Sequence, residues 1–182
     1  SAGVPAPSLT PDLRMQMKKL FLLIMLLAVT SPCFAKAYYA RKKDMIKEAE
    51  AIVIVEITKI EDSEKVGKSW TYRQKASATV KHCLKGEAKG EIEIYGMETF
   101  ICAQCRYKKG NFILFLRKKE DFWVGSNWHL GIRPIANNKT QWFKDDETHF
   151  ELKETSLTDV INEINALVKE QMQETPNKLD IG

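Results

Sequence analysis

The sharpest chemical motif in this 182-residue chain is Cys102-Ala-Gln-Cys105, with a further cysteine at Cys83. Two cysteines at this spacing can close a structural disulfide, cycle as a redox dithiol, or supply two ligands to zinc. A redox pair needs a thiolate, and a helix N-terminus usually supplies the field that lowers the pKa. Here Arg106-Tyr-Lys-Lys-Gly follows and reads as a turn into a strand, although Arg106 and Lys108 would favour a thiolate. A structural zinc site takes four ligands, and no second CxxC is present. His82 and Cys83 are neighbours on an expected strand and so face opposite sides. One of them would need His129 or His149 to complete a site. Arg106 stands where a haem-attachment motif has histidine. The expectation is a disulfide, within the motif or from Cys83 to it, with the redox and zinc uses open.

The aromatic residues are the other conspicuous feature. Trp70, Trp123, Trp128 and Trp142 either fill a core or offer stacking faces to a ligand. Most are expected in the core. Trp128-His129 and Trp142-Phe143 are the candidates for a partner surface, because they fall near expected turns. Asp145-Asp-Glu147 has the composition of a metal-binding carboxylate cluster but reads as a solvated turn. No G-x-S-x-G, H-E-x-x-H or glycine-rich phosphate loop occurs. The chain therefore reads as a binding module before an enzyme, with no catalytic residue, metal ligand set or cofactor assigned, and the CxxC redox and zinc readings stand as the alternatives.

The elements that must position these residues are mostly short strands. Residues 41–50 place Met45, Ile46 and Ala49 on one helical face. Residues 51–60, AIVIVEITKI, form a nearly continuous β-branched run, expected as a strand covered on both sides. Residues 61–69 read as a charged loop. In 70–83, Trp70, Tyr72, Ala76, Ala78 and Val80 alternate with polar residues, the period of a half-buried antiparallel strand. Further strands are expected at 91–95, 112–116, 122–124, 130–135 and 140–143. Asn137-Asn138 suits a tight hairpin because asparagine tolerates positive φ. Ser156 followed by Asp159 resembles a capping box. It opens a helix over 156–172 whose Leu157, Val160, Ile161, Ile164, Leu167 and Val168 form one apolar stripe. Residues 173–182 are a polar tail. These elements predict a mainly β domain, a small antiparallel barrel or sandwich with one helix before it and one after.

Residues 15–37 read as an export signal. Lys18-Lys19 is followed by ten apolar residues, too short to span a bilayer, and then by Ala35-Lys-Ala37, a small-residue cleavage pattern. Cys33 follows Pro32, which departs from a lipoprotein signal. Residues 1–14 hold three prolines and no apolar periodicity and read as an upstream segment outside the fold. A single domain over 38–172 then remains. Without Arg14, Lys18, Lys19 and Asp12 the chain carries 25 basic and 23 acidic residues, near +2. That balance does not indicate nucleic acid as the partner. No second apolar run long enough for a membrane span follows the signal.

The order of segments, "AEAIVIVEITKI", "VKHCLKGE", "EIEIYG", a cysteine segment, "KKGNFILFL" and a closing amphipathic helix, resembles bacterial secreted proteins related to the netrin-like module of tissue inhibitors of metalloproteinases. The matching stretches are 49–55, 80–86, Cys102 or Cys105, and 110–116. The resemblance implies an OB-type barrel. It does not carry over the inhibitory mechanism, which places a mature N-terminal cysteine on the target's zinc, because Cys33 would leave with the signal. The functional expectation is an exported binding module, periplasmic or extracellular, for a protein or cell-envelope component.

Overall fold

The computed structural model describes residues 41–99, 104–145 and 151–174. The expected signal, Cys33, Cys102 and His149 lie outside the described residues. Helix α1 (Lys42–Glu48) leads into eight strands: β1 (Ala51–Val66), β2 (Thr71–Lys85), β3 (Glu91–Glu98), β4 (Gly110–Lys119), β5 (Phe122–Gly125), β6 (Ile132–Ala136), β7 (Lys139–Phe143) and β8 (Leu152–Ser156). A 3-10 turn (Trp128–Gly131) precedes β6, and α2 (Leu157–Glu174) follows β8.

The strands form one sheet in the order β1-β2-β3-β5-β4-β6-β7-β8, and β1 also pairs with β4. The first five strands therefore close on themselves. The closure is uneven. β1 and β2 pair along nearly their whole length, whereas β3 meets β5 in parallel through only Ile94↔Trp123 and Tyr95↔Val124. β4 contributes one edge to β1 and divides the other between β6, at 111–114, and β5, at 116–119.

Strand alternation sorts the apolar residues into two cores. Val53, Val55 and Ile57 of β1 join Ala76, Ala78, Ile94, Phe112, Leu114 and Leu116 inside the closed strands. Ile52, Ile54, Ile113 and Phe115 point the other way, under Met45 and Ile46 of α1, Val160 and Ile164 of α2, and Trp142 and Phe143. β1 is thus covered on both faces, as its unbroken apolar run predicts. A third cluster gathers Tyr72, Phe122 and Val124, with Tyr72 and Tyr95 each edge-on to Phe122 at 5.4 and 5.2 Å.

Several local expectations hold. The Asp159 N–H donates to Ser156 Oγ at 3.1 Å, which caps α2, and the Ser156 hydroxyl donates to the Asp159 carboxylate at 2.7 Å. Asn137 and Asn138 have φ of 50° and 58° and turn β6 into β7. One expectation is corrected. The charged stretch 61–66 is strand, because Glu61↔Lys75 and Lys65↔Tyr72 continue the β1–β2 ladder and its outer faces remain wet. β8 is charged, has no clear alternation, and was missed by the sequence reading.

Candidate functional site

Cys105 sits at one end of the closed strands, in a segment that crosses β3 and β5. Its carbonyl accepts the Met97 N–H, and its own N–H donates to Glu98 Oε2 at 3.2 Å. Gln74 clips the next turn of chain: its Oε1 accepts the Tyr107 N–H at 2.8 Å and its Nε2 donates to the Tyr107 carbonyl at 3.3 Å. The approach requires glycine on both strands. A Cβ at Gly96 would stand 2.5 Å from the Cys105 carbonyl, and one at Gly125 would stand 2.2 Å from Cys105 Sγ.

This packing decides the character of the thiol. Cys105 has 0% exposure, and burial, reinforced by the Glu98 carboxylate, pushes its pKa up. A redox or metal-binding cysteine needs the opposite shift and solvent access. Burial likewise raises Glu98 and Tyr107. The Tyr107 hydroxyl lies beside Cys105 Sγ, against Gly125. Glu98, Cys105 and Tyr107 therefore form a closed interior cluster that holds the crossing segment in place.

Cys83 lies elsewhere, exposed near the end of β2, with its thiol donating to the Lys85 and Gly86 carbonyls at 3.2 and 3.3 Å. Cys83 and Cys105 are both free thiols, so the expected bridge between them is not formed. Among the described residues no three His, Cys, Asp or Glu side chains group to hold a metal ion. Asp146 and Glu147 lie outside the described residues.

The aromatic candidates divide. Trp142 and Phe143 are core, at 0% and 2% exposure, which corrects their assignment to a partner surface. They pack with Phe115 of β4 and with Val160 and Ile164 of α2, because β7 extends the sheet beyond β6 under that helix, a long-range contact with no local signature. Trp142 Nε1 donates to Glu163 Oε2 at 2.7 Å, which ties β7 to α2. Trp128 is half-buried in the 3-10 turn and His129 is exposed beside it.

A surface cleft of about 230 Å³ opens where the β1–β2 loop meets the β4–β5 turn. Trp70, Tyr72, Lys68, Lys118, Lys119 and Glu120 line it. The Gly67 N–H donates to the Trp70 carbonyl at 2.8 Å and shapes the loop. Lys118 lies over Trp123 at 5.2 Å and Lys65 over Phe122 at 4.7 Å. Lys65 also pairs with Asp121 at 3.6 Å, whereas Lys68, Lys118 and Lys119 have no ion pair among the described residues. The sequence reading noted Trp70 but missed the lysines, because Lys68 and Lys118-Lys119 lie far apart in the chain.

The outer face of β1–β3 contrasts with this cleft. There Lys75 pairs with Glu93 at 3.0 Å and Glu61 at 3.8 Å, Lys81 with Glu56 at 2.8 Å, and Lys59 with Glu61 at 2.9 Å. That face neutralises itself and offers no continuous positive track to a phosphate backbone.

No protein-family model matches this chain, and no curated protein does. Among the described residues no helix is long and apolar enough to cross a membrane.

Proposed function

We propose that the chain is an exported, non-enzymatic binding module with an OB-like barrel of the netrin-like type, and that it engages an acidic surface of a protein or cell-envelope component. The observation that carries this reading is that Lys68, Lys118 and Lys119 line one cleft with Trp70 and form no ion pair among the described residues. Five strands that close into a partly open ring support the OB-like reading. In OB folds the β1–β2 and β4–β5 loops contact ligands, and the same two connections form this cleft. The order of β-rich segments and the closing amphipathic helix supports the netrin-like relation. The burial of Cys105 weighs against thiol–disulfide exchange as the main activity.

The test is retention of envelope components by the immobilised exported protein, compared with Lys68→Glu/Lys118→Glu/Lys119→Glu. A component held by the wild type in low salt, and lost by a triple variant with unchanged thermal stability, supports the proposal. Equal retention by both proteins, or none above an unrelated barrel, overturns it.

A further inference from the structure

Two hairpins end side by side. β1 and β2 part after the pair Val66↔Thr71, and β4 and β5 part after Lys119↔Phe122, with only Glu120 and Asp121 between them. A Cβ at Gly67 would stand 3.7 Å from Phe122 Cζ, so the first tip rests against the second hairpin. Lys65 joins them again by reaching Asp121 at 3.6 Å.

These tips combine an apolar side chain with unpaired cations. Val66 is 71% exposed at the end of β1, where water gives an aliphatic group no return. Lys68, Lys118 and Lys119 are exposed on the same two hairpins and form no ion pair among the described residues. The carboxylates nearby are mostly engaged, Asp121 by Lys65 and Glu64 by Arg73 at 3.7 Å. Glu120 is the carboxylate that lines the cleft.

We infer that the paired tips dock on the surface of an anionic phospholipid bilayer. The inference rests on the reading of the lysine cleft as a site for an acidic surface, and it names that surface. Lys68, Lys118 and Lys119 meet the phosphate headgroups, and Val66 enters the boundary between headgroups and acyl chains. Lysine suits this position, because its ammonium stays at headgroup level while its stem lies against hydrocarbon. Cations spread over two hairpins also match a broad, multivalent surface better than one small anion, since no guanidinium lines the cleft to grip a single phosphate as a fork. One aliphatic side chain buries little area, so docking is reversible and depends on the lysines.

The experiment is flotation of the exported protein with vesicles of phosphatidylglycerol and phosphatidylcholine in equal parts, against phosphatidylcholine alone. The protein is expected to float with the anionic vesicles at low salt, and to stay behind with neutral vesicles or at high salt. Lys68→Gln/Lys118→Gln/Lys119→Gln is expected to weaken partitioning about a hundredfold. Val66→Ser is expected to weaken it about fivefold, and Val66→Leu to strengthen it. Every substituted side chain is exposed, and unchanged thermal melting confirms the fold. The variants share the rest of the chain, so their differences report on the tips. Free glycerol phosphate is expected not to compete, because it lacks the multivalency of a surface. Equal flotation with both kinds of vesicle, Val66 variants that float like wild type, or displacement by glycerol phosphate overturns the inference. Envelope components retained by the wild type without any flotation on vesicles would overturn it too, and would leave the acidic-surface reading standing.

Discussion

At the residue scale, the contact between Cys105 Sγ and Gly125 makes a sharp prediction. Gly125→Ala places a methyl group 2.2 Å from sulfur. It is expected to destabilise the domain by ~1–3 kcal/mol, the usual range for overpacking a core. Cys105→Ala in the same chain should recover part of that loss, so the double variant is less destabilised than the sum of the singles. Denaturant titration of the four proteins measures the coupling; strict additivity would mean that the two groups do not meet. The same burial predicts reactivity. In native protein a maleimide labels Cys83 and spares Cys105, and peptide mass spectrometry after denaturation shows both labelled. Native labelling of Cys105 would show the end of the ring to be open.

Glu98 gives the pH dependence. Its folded pKa is raised by burial above the ordinary carboxyl value, so the folded state binds its proton more tightly than the unfolded chain. The penalty is absent below the unfolded pKa of ~4.3 and grows as pH rises through the folded pKa. Glu98→Gln keeps an acceptor for the Cys105 N–H and removes the titration. Its stability relative to wild type should therefore improve between pH 4 and pH 7, as chemical denaturation at several pH values would show. A constant difference across that range would mean that Glu98 is not desolvated.

At the scale of elements, α1 and α2 are joined through Glu163, which takes both the Trp142 indole N–H and the ammonium of Lys42. Lys42 is buried, at 5% exposure, and Glu163 is partly open. Glu163→Ala should cost about 2 kcal/mol, between the small value of a surface pair and the larger value of a buried one. Double-mutant cycles with Trp142→Phe would divide the loss between the two partners. Arg133 is the reverse case. Its Nε and Nη2 are buried without hydrogen bonds, the Phe143 ring stands 4.7 Å away, and burial lowers its pKa to about 10. Arg133→Met should raise stability, because it removes a desolvated charge and keeps much of the apolar stem.

At the scale of the molecule, the ring of five strands is only as secure as its shortest seam. β1 and β2 are locked by a long ladder and by apolar residues on both faces of β1, whereas β3 and β5 share two residue pairs. Local opening starts where few hydrogen bonds must break. Amides of β5 are expected to exchange with solvent faster than those of Val53, Val55 and Ile57 in β1. Hydrogen-exchange mass spectrometry reads this directly, and equal protection would mean that the ring opens only with the whole domain.

The sequence by itself determined what depends on near neighbours along the chain. The β-branched run at 51–60 fixed a strand buried on both sides, Asn137-Asn138 fixed a hairpin, and Ser156 with Asp159 fixed the start of the last helix. Each signal is local because it rests on backbone preference, side-chain alternation or a cap within a turn of the chain. The candidate sites needed distant segments. Nothing near Cys105 announced that Gly96, Gly125 and Gln74 would enclose it and hold its thiol protonated. Trp142 and Phe143 resemble exposed turn residues until β7 joins the sheet beside β6 and α2 closes over it. Lys68 joins Lys118 and Lys119 only because closure of the ring brings separate loops together. Local preference decides which elements form; burial, strain and the meeting of unlike side chains are properties of the closed structure.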